Sequence, residues 1–294
     1  MSATASPATG RRYGLRRVCR VWQVPRATLY FRRKERPAPQ RRGPKPLIPD
    51  TQLLEDIRDN LATSPFTGEG HRKVYFRLKH ERQFKVSRKR ILRLMRENNL
   101  LSPHRVPKGD PKTHDGTICT DKPLEMWGTD GTMVQTVEEG TVWVFSAVEH
   151  FNGECVGIHA SKSGDRFNAM EPVRQGVRRH FGPVAMGIVS GLALRTDHGS
   201  QYVSDWFQKE CKFLGIRQSL AYVREPQTNG VVERFWKTLK EQIIEGRIYH
   251  NVKDLQAALT AFMELYNSRW RLEKLGGRTP IEAREAWQAA TRAA

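Results

Sequence analysis

Apolar positions in the first third of the chain recur at helical spacing. Leu15, Val18, Cys19 and Trp22 fall at i, i+3, i+4 and i+7, one face of a helix, with Arg16, Arg17 and Arg20 on the other. Val24-Pro25 ends that helix, because proline disfavours the α conformation in the residue before it. Arg26-Ala27-Thr28-Leu29-Tyr30 opens a second short helix, so residues 1–45 read as a helix-turn-helix-like segment and linker. The linker part, 32–49, is stiff and basic, with Pro37, Pro39, Pro44, Pro46 and Pro49 among Arg and Lys. A second helical unit is expected over 46–105. Leu53, Leu54, Ile57 and Leu61 form its first stripe, and Val74 and Leu78 mark another helix after the turn Gly68–Gly70. Ser87 is placed to cap a third, with Ile91, Leu92 and Met95 inward and Arg88, Lys89, Arg90, Arg93 and Arg96 outward.

The period changes after a proline-marked linker, 106–122. Met126 to Val134, Thr141 to Val148 and Gly153 to Ala160 read as three strands joined by turns at Glu138–Gly140 and Asn152-Gly153. A helix over 167–181, a strand over 192–196, a helix over 202–214 and a strand over 216–220 follow, with Gly215 as the helix stop. Helices at 227–246 and 253–267 complete the series. This order predicts an α/β fold: a ribonuclease-H-like mixed sheet with flanking helices over 123–270. Small all-helical modules precede it, and a C-terminal tail, 271–294, follows it.

Charge sharpens the division. The 50 Lys and Arg exceed the 31 Asp and Glu by 19, and residues 1–115 hold 28 of the basic against 10 of the acidic side chains. A basic module thus precedes a nearly neutral one, and its natural partner is a polyanion, nucleic acid above all. Arg88, Lys89 and Arg93 of the basic helix, with Arg26 and Thr28 of the first hairpin, are the candidate DNA contacts. No apolar run approaches the ~20 residues that cross a bilayer. The polar start, Met1 to Gly10, lacks the apolar stretch of a secretory signal. Cysteines at 19, 119, 155 and 211 are too far apart for a zinc or disulfide pattern, and a cytoplasmic location is expected.

Three acids stand out against this background. Asp130 lies within the first strand, in Trp127-Gly128-Thr129-Asp130-Gly131-Thr132. Asp197 follows the strand 192–196, at the carboxyl end where α/β sheets place ligand groups. Glu233 falls in the first turns of a long helix, where the dipole favours a negative group. Glu233, Lys237 and Lys240 share one helical stripe beside the core face of Val232, Phe235, Trp236, Leu239 and Ile243. One acid followed by two cations suits a phosphate backbone running along the helix.

These motifs resemble the DDE transposases of bacterial insertion sequences, the OrfB-type catalytic subunits with a retroviral-integrase-like core. The resemblance rests on the Trp127–Thr132 segment, on Arg195-Thr196-Asp197-His198-Gly199-Ser200-Gln201-Tyr202 and on Asn229-Gly230-Val231-Val232-Glu233-Arg234-Phe235-Trp236-Lys237-Thr238-Leu239-Lys240. Thirty-five residues separate Asp197 from Glu233, a spacing characteristic of the family. Tyr266-Asn267-Ser268-Arg269-Trp270 and Arg278-Thr279-Pro280 also match its C-terminal pattern. The resemblance implies that Asp130, Asp197 and Glu233 are catalytic and hold two Mg²⁺ or Mn²⁺ ions, with Lys237 and Lys240 against DNA. It further implies cleavage of double-stranded DNA at element ends and 3′-hydroxyl strand transfer in the bacterial nucleoid. A homo-oligomeric synaptic complex and an upstream OrfA-type partner belong to the same expectation. A DNA-binding regulator with a silent core, and a structure-selective nuclease on the same fold, are the alternatives.

Overall fold

The computed structural model describes residues 3–33, 47–103, 120–220 and 230–293. Most of both expected linkers, Cys119 and the expected helix start at 227–229 lie outside the described residues. The chain divides into two units, Met1–Pro49 and Asp50–Ala294.

In the first unit, α1 (Leu15–Val21) and α2 (Arg26–Arg33) flank a turn in which the Val24 N–H donates to the Cys19 carbonyl. Cys19 is buried, with Leu15 and Val18 half-buried, as their spacing predicts. Trp22 departs from the stripe: it caps α1 instead of continuing it, and is 62% exposed.

The second unit opens with α3 (Asp50–Ala62), α4 (His71–Glu81) and α5 (Arg88–Glu97), which bury Leu53, Ile57, Val74, Leu78, Ile91 and Met95. Ser87 caps α5 by accepting the Arg90 N–H, as expected of a serine ahead of a helix. Leu94 takes the inward place expected for Leu92, which is only half-buried.

Five strands follow: β1 (Met126–Thr136), β2 (Gly140–Glu149), β3 (Cys155–Ser161), β4 (Ala193–Thr196) and β5 (Arg217–Leu220). They lie in the order β3-β2-β1-β4-β5, with β1, β2 and β3 antiparallel and β1, β4 and β5 parallel. This is the ribonuclease-H-like mixed sheet, with β1 at its centre. The two-residue period of β2 sends Val142 and Val144 to one face and Phe145 and Ala147 to the other. The first face packs against α9 (Gly230–Leu239) and α10 (Val252–Arg269), the second against α6 (Arg166–His180) and α8 (Asp205–Leu214). The single helix expected over 202–214 is two, α7 (Ser200–Val203) and α8. Ser204 between them is extended, and its side chain caps α8 by accepting the Phe207 N–H. Gly215 ends α8 at φ +87°, a left-handed conformation that favours glycine. Past Leu239, α9 continues as a π-helical turn, Lys240–Ile244.

The expected tail holds a helix, α11 (Pro280–Ala293). Thr279 and Glu282 form a reciprocal capping box. The Glu282 N–H donates to the Thr279 hydroxyl and the Thr279 N–H to the Glu282 carboxylate, with Pro280 at the first helical position. Asn267 clamps the start of β3 by accepting the Cys155 N–H and donating to the Cys155 carbonyl. The family-like segments at 266–270 and 278–280 therefore carry architectural work.

Residues 50–103 share the unit of the sheet. Phe66 belongs to the apolar cluster beneath α9 and α10, with its ring edge-on to Trp270 at 4.8 Å. The Gln242 side chain exchanges hydrogen bonds with the Thr67 backbone, and the Lys73 ammonium lies 3.6 Å from the Trp270 ring centre. Among the described residues no helix is long and apolar enough to cross a membrane. Cys19, Cys155 and Cys211 are buried free thiols.

Candidate active site

The backbone around Asp130 is pinned from several sides. Trp127 is buried, and its indole N–H donates to Glu149 at 2.9 Å. Glu149 also accepts the Leu124 and Phe151 N–H groups; burial raises its carboxyl to about 7 against the pull of these donors. The Thr129 hydroxyl donates to the Ser146 carbonyl across the strand pair. Gly131 must be small, since a Cβ there would stand 2.6 Å from the Phe145 ring. Asp130 itself is half-buried and accepts the Gly131 N–H at 2.7 Å. Burial, and then the charges of Asp197 and Glu233, raise its carboxyl to about 6, while the Gly131 N–H and Lys240 act in the opposite sense.

Asp130 and Glu233 open onto one cleft of about 430 Å³, also lined by Thr132, Trp236, Lys237, Lys240, Glu241 and Glu245. Glu233 is exposed in the first turn of α9, where the helix dipole supports its charge. Asp197 is exposed just beyond β4, and accepts the Gly199 N–H at 2.8 Å in its own turn. It reaches Asp130 through its field but does not line the cleft. Among the described residues no three His, Cys, Asp or Glu side chains are gathered closely enough to hold a metal ion. The donor set nonetheless suits a hard divalent cation. Asp130, Asp197 and Glu233 offer carboxylate oxygens, and Asp130 is held proton-prone by burial first and then by the charges of the other two, a repulsion that a cation would relieve.

Lys237 and Lys240 are exposed on the cleft wall, with Lys237 3.8 Å from Glu241. Glu241 was missed from sequence; its position four residues after Lys237, on the same stripe, was the available signal. Arginines of the basic helix are paired within the chain. Arg88 and Arg93 do not project free: Arg88 pairs with Glu273 at 2.7 Å, and Arg93 with Asp50 and with Glu97. Arginines on this helix satisfy acids on α3, on their own helix and in the C-terminal segment, because the chain supplies those acids nearby. Lys89 is exposed. Arg26 is exposed at the start of α2, and Thr28 is half-buried.

Comparison with known proteins adds the decisive observation. Residues 120–226 and 214–280 match integrase core domain families, and residues 50–108 match an HTH-like domain. The chain carries an integrase core and an HTH-like domain. Its HTH-like match falls on α3–α5, the second helical unit, and not on the α1–α2 hairpin. The transposase for insertion sequence element IS629 of Shigella sonnei is 26% identical over 291 residues, covering 94% of this chain and 93% of that protein. The putative transposase InsK of IS150 from Escherichia coli K12 is 26% identical, covering 92% of this chain and 94% of its own length. The resemblance to insertion-sequence transposases is thus borne out. The HTLV-2 integrase catalytic core domain, solved in complex with magnesium, overlaps 56% of this integrase-core chain and 98% of its own, at 18% identity and a TM-score of 0.42.

Proposed function

We propose that this chain is the catalytic transposase of an insertion sequence, cleaving DNA at an element end and transferring the resulting 3′-hydroxyl to a new phosphate. The supporting observation is the cleft that joins Asp130 on the central strand, Glu233 on α9 and the cations Lys237 and Lys240, within the field of Asp197. Asp130, Asp197 and Glu233 would hold the cations, two Mg²⁺ or Mn²⁺. A divalent ion supplies charge to the scissile phosphate and lowers the pKa of an attacking water or hydroxyl. Lys237 and Lys240 bind the phosphates on either side and fix the strand along α9. Lys240 also favours the ionised Asp130, the form able to ligate. The half-buried position of Asp130 strengthens each charge interaction by keeping water from one side of the carboxylate. We further propose action in the bacterial cytoplasm on double-stranded DNA, as a homo-oligomer that pairs element ends with an OrfA-type partner. Lys89, Arg26 and Thr28 remain DNA contacts in this reading, and Arg88 and Arg93 reach phosphate only by exchanging their intramolecular acids.

The separation of Asp197 from the cleft favours a second reading, a DNA-binding regulator with a silent core. One assay divides the readings. A pre-cut duplex end is incubated with supercoiled plasmid and Mg²⁺ or Mn²⁺. Joined product is expected; binding without any strand breakage supports the regulator, and nicking without joining supports a nuclease.

A further inference from the structure

Ser146 is the anomaly of the central strands. It sits in the apolar run Val142-Trp143-Val144-Phe145-Ser146-Ala147-Val148, and it is 0% exposed. Its hydroxyl has no hydrogen-bond partner among the described residues. A buried hydroxyl without a partner is costly, and alanine at this position would remove the cost. The register shows what the hydroxyl faces. Ser146 is directly opposite Asp130 on β1 and Ile158 on β3. Directly opposed residues of antiparallel strands share a face, with Cβ atoms ~4.5–5.5 Å apart. The flanking pairs on that face are Gly128–Val148 and Thr132–Val144, and α9 lays Val232, Phe235 and Trp236 over it. Valine and phenylalanine offer no side-chain acceptor, tryptophan only a donor, and Thr132 is one diagonal step away at ~7–8 Å. Among the described residues the Asp130 carboxylate is the acceptor directly across, and its backbone donor there, Gly131, engages Oδ1.

We propose that Ser146 is a positioning residue for Asp130: its hydroxyl turns to a rotamer that donates to the carboxylate and fixes that group for cation binding. Serine side chains exchange among three staggered rotamers, so the step needs no backbone movement. The inference rests on the metal-binding reading of Asp130, and it assigns Ser146 no contact with DNA or with the reacting atoms. Partners that orient a ligating group commonly change metal affinity 10–100-fold when lost.

The test compares Mn²⁺ binding by calorimetry in the full chain, as wild type, Ser146→Ala, Ser146→Thr, Asp130→Asn and the Asp130→Asn/Ser146→Ala double variant. Ser146→Ala is expected to weaken Mn²⁺ binding by at least ~10-fold, the low end of that range. Ser146→Thr, which keeps the hydroxyl, should restore most of it, and Ser146→Ala should change nothing further once Asp130 is Asn. Melting in chelator gives a second reading: Ser146→Ala should lower the melting temperature of the wild-type background. Wild-type Mn²⁺ affinity in Ser146→Ala, or an unchanged or higher melting temperature, overturns the positioning role and leaves the transposase reading standing. A wild type that binds no Mn²⁺ overturns the metal reading, and the positioning role falls with it.

Discussion

Replacing Asp130 by Asn should stabilise the metal-free protein at neutral pH, and the size follows from the site. Its carboxyl is raised from 3.8 to about 6, first by burial and then by the charges of Asp197 and Glu233. A group with a raised folded-state pKa holds its proton more tightly when folded. Stability is therefore lost as pH rises through the window from 3.8 to about 6, and the full penalty persists above it. Two pH units correspond to a ceiling near 3 kcal/mol, at about 1.36 kcal/mol per unit. For a unit of this length, that is up to roughly 6 °C in melting temperature, at ~2 °C per kcal/mol. Asparagine keeps the shape and stays neutral at every pH. Thermal melts in EDTA at pH 4 and pH 8 should show wild type and Asp130→Asn close together at the lower pH, with the variant higher at pH 8. Saturating Mn²⁺ should then raise the wild type more than the variant. A variant that melts at or below the wild type at pH 8 without metal would refute the electrostatic account of the cleft.

The remaining predictions concern single contacts. Lys240→Ala should weaken DNA binding and flatten the dependence of log K on log salt by ~1, measured by fluorescence anisotropy between ~50 and ~200 mM salt. Gly131→Ala should destabilise the chain by roughly 1–3 kcal/mol in urea unfolding, because the new methyl meets the Phe145 ring. Thr279→Ala should cost about 1 kcal/mol by the same measurement, through loss of the capping box of α11.

Element types in the core were legible because strand and helix periods differ and because turns such as Asn152-Gly153 carry their own chemistry. Asp130, Asp197 and Glu233 were legible as charges at the centre of a strand, the end of a strand and the start of a helix. Other features depend on partners far along the chain. Ser204 breaks a continuous apolar stripe with one extended residue and a cap, and stripe counting does not see it. The arginines of α5 looked like a free basic face, yet Glu273, some 185 residues onward, takes Arg88. Helix α11 begins at a Thr-x-x-Glu box with Pro at its first position, a local start signal inside the segment expected as a tail.

The contacts at Phe66, Thr67 and Lys73 bear on how such proteins are taken apart and recombined. A cut between the HTH-like segment and the integrase core looks natural in the linear sequence. In three dimensions it would strip Phe66 from the cluster under α9, remove the acceptor and donor of Gln242, and leave Trp270 without the Lys73 ammonium. The severed core would carry a raw apolar face and an unsatisfied buried amide, so two soluble halves are not the expected product. A chimera that imports a foreign HTH-like segment at residues 50–103 has to import matching residues at 242 and 270–273 in the same step. Inheritance is constrained in the same way: a substitution at Phe66 or Thr67 is felt in the turn at Gln242 that continues the helix of Glu233.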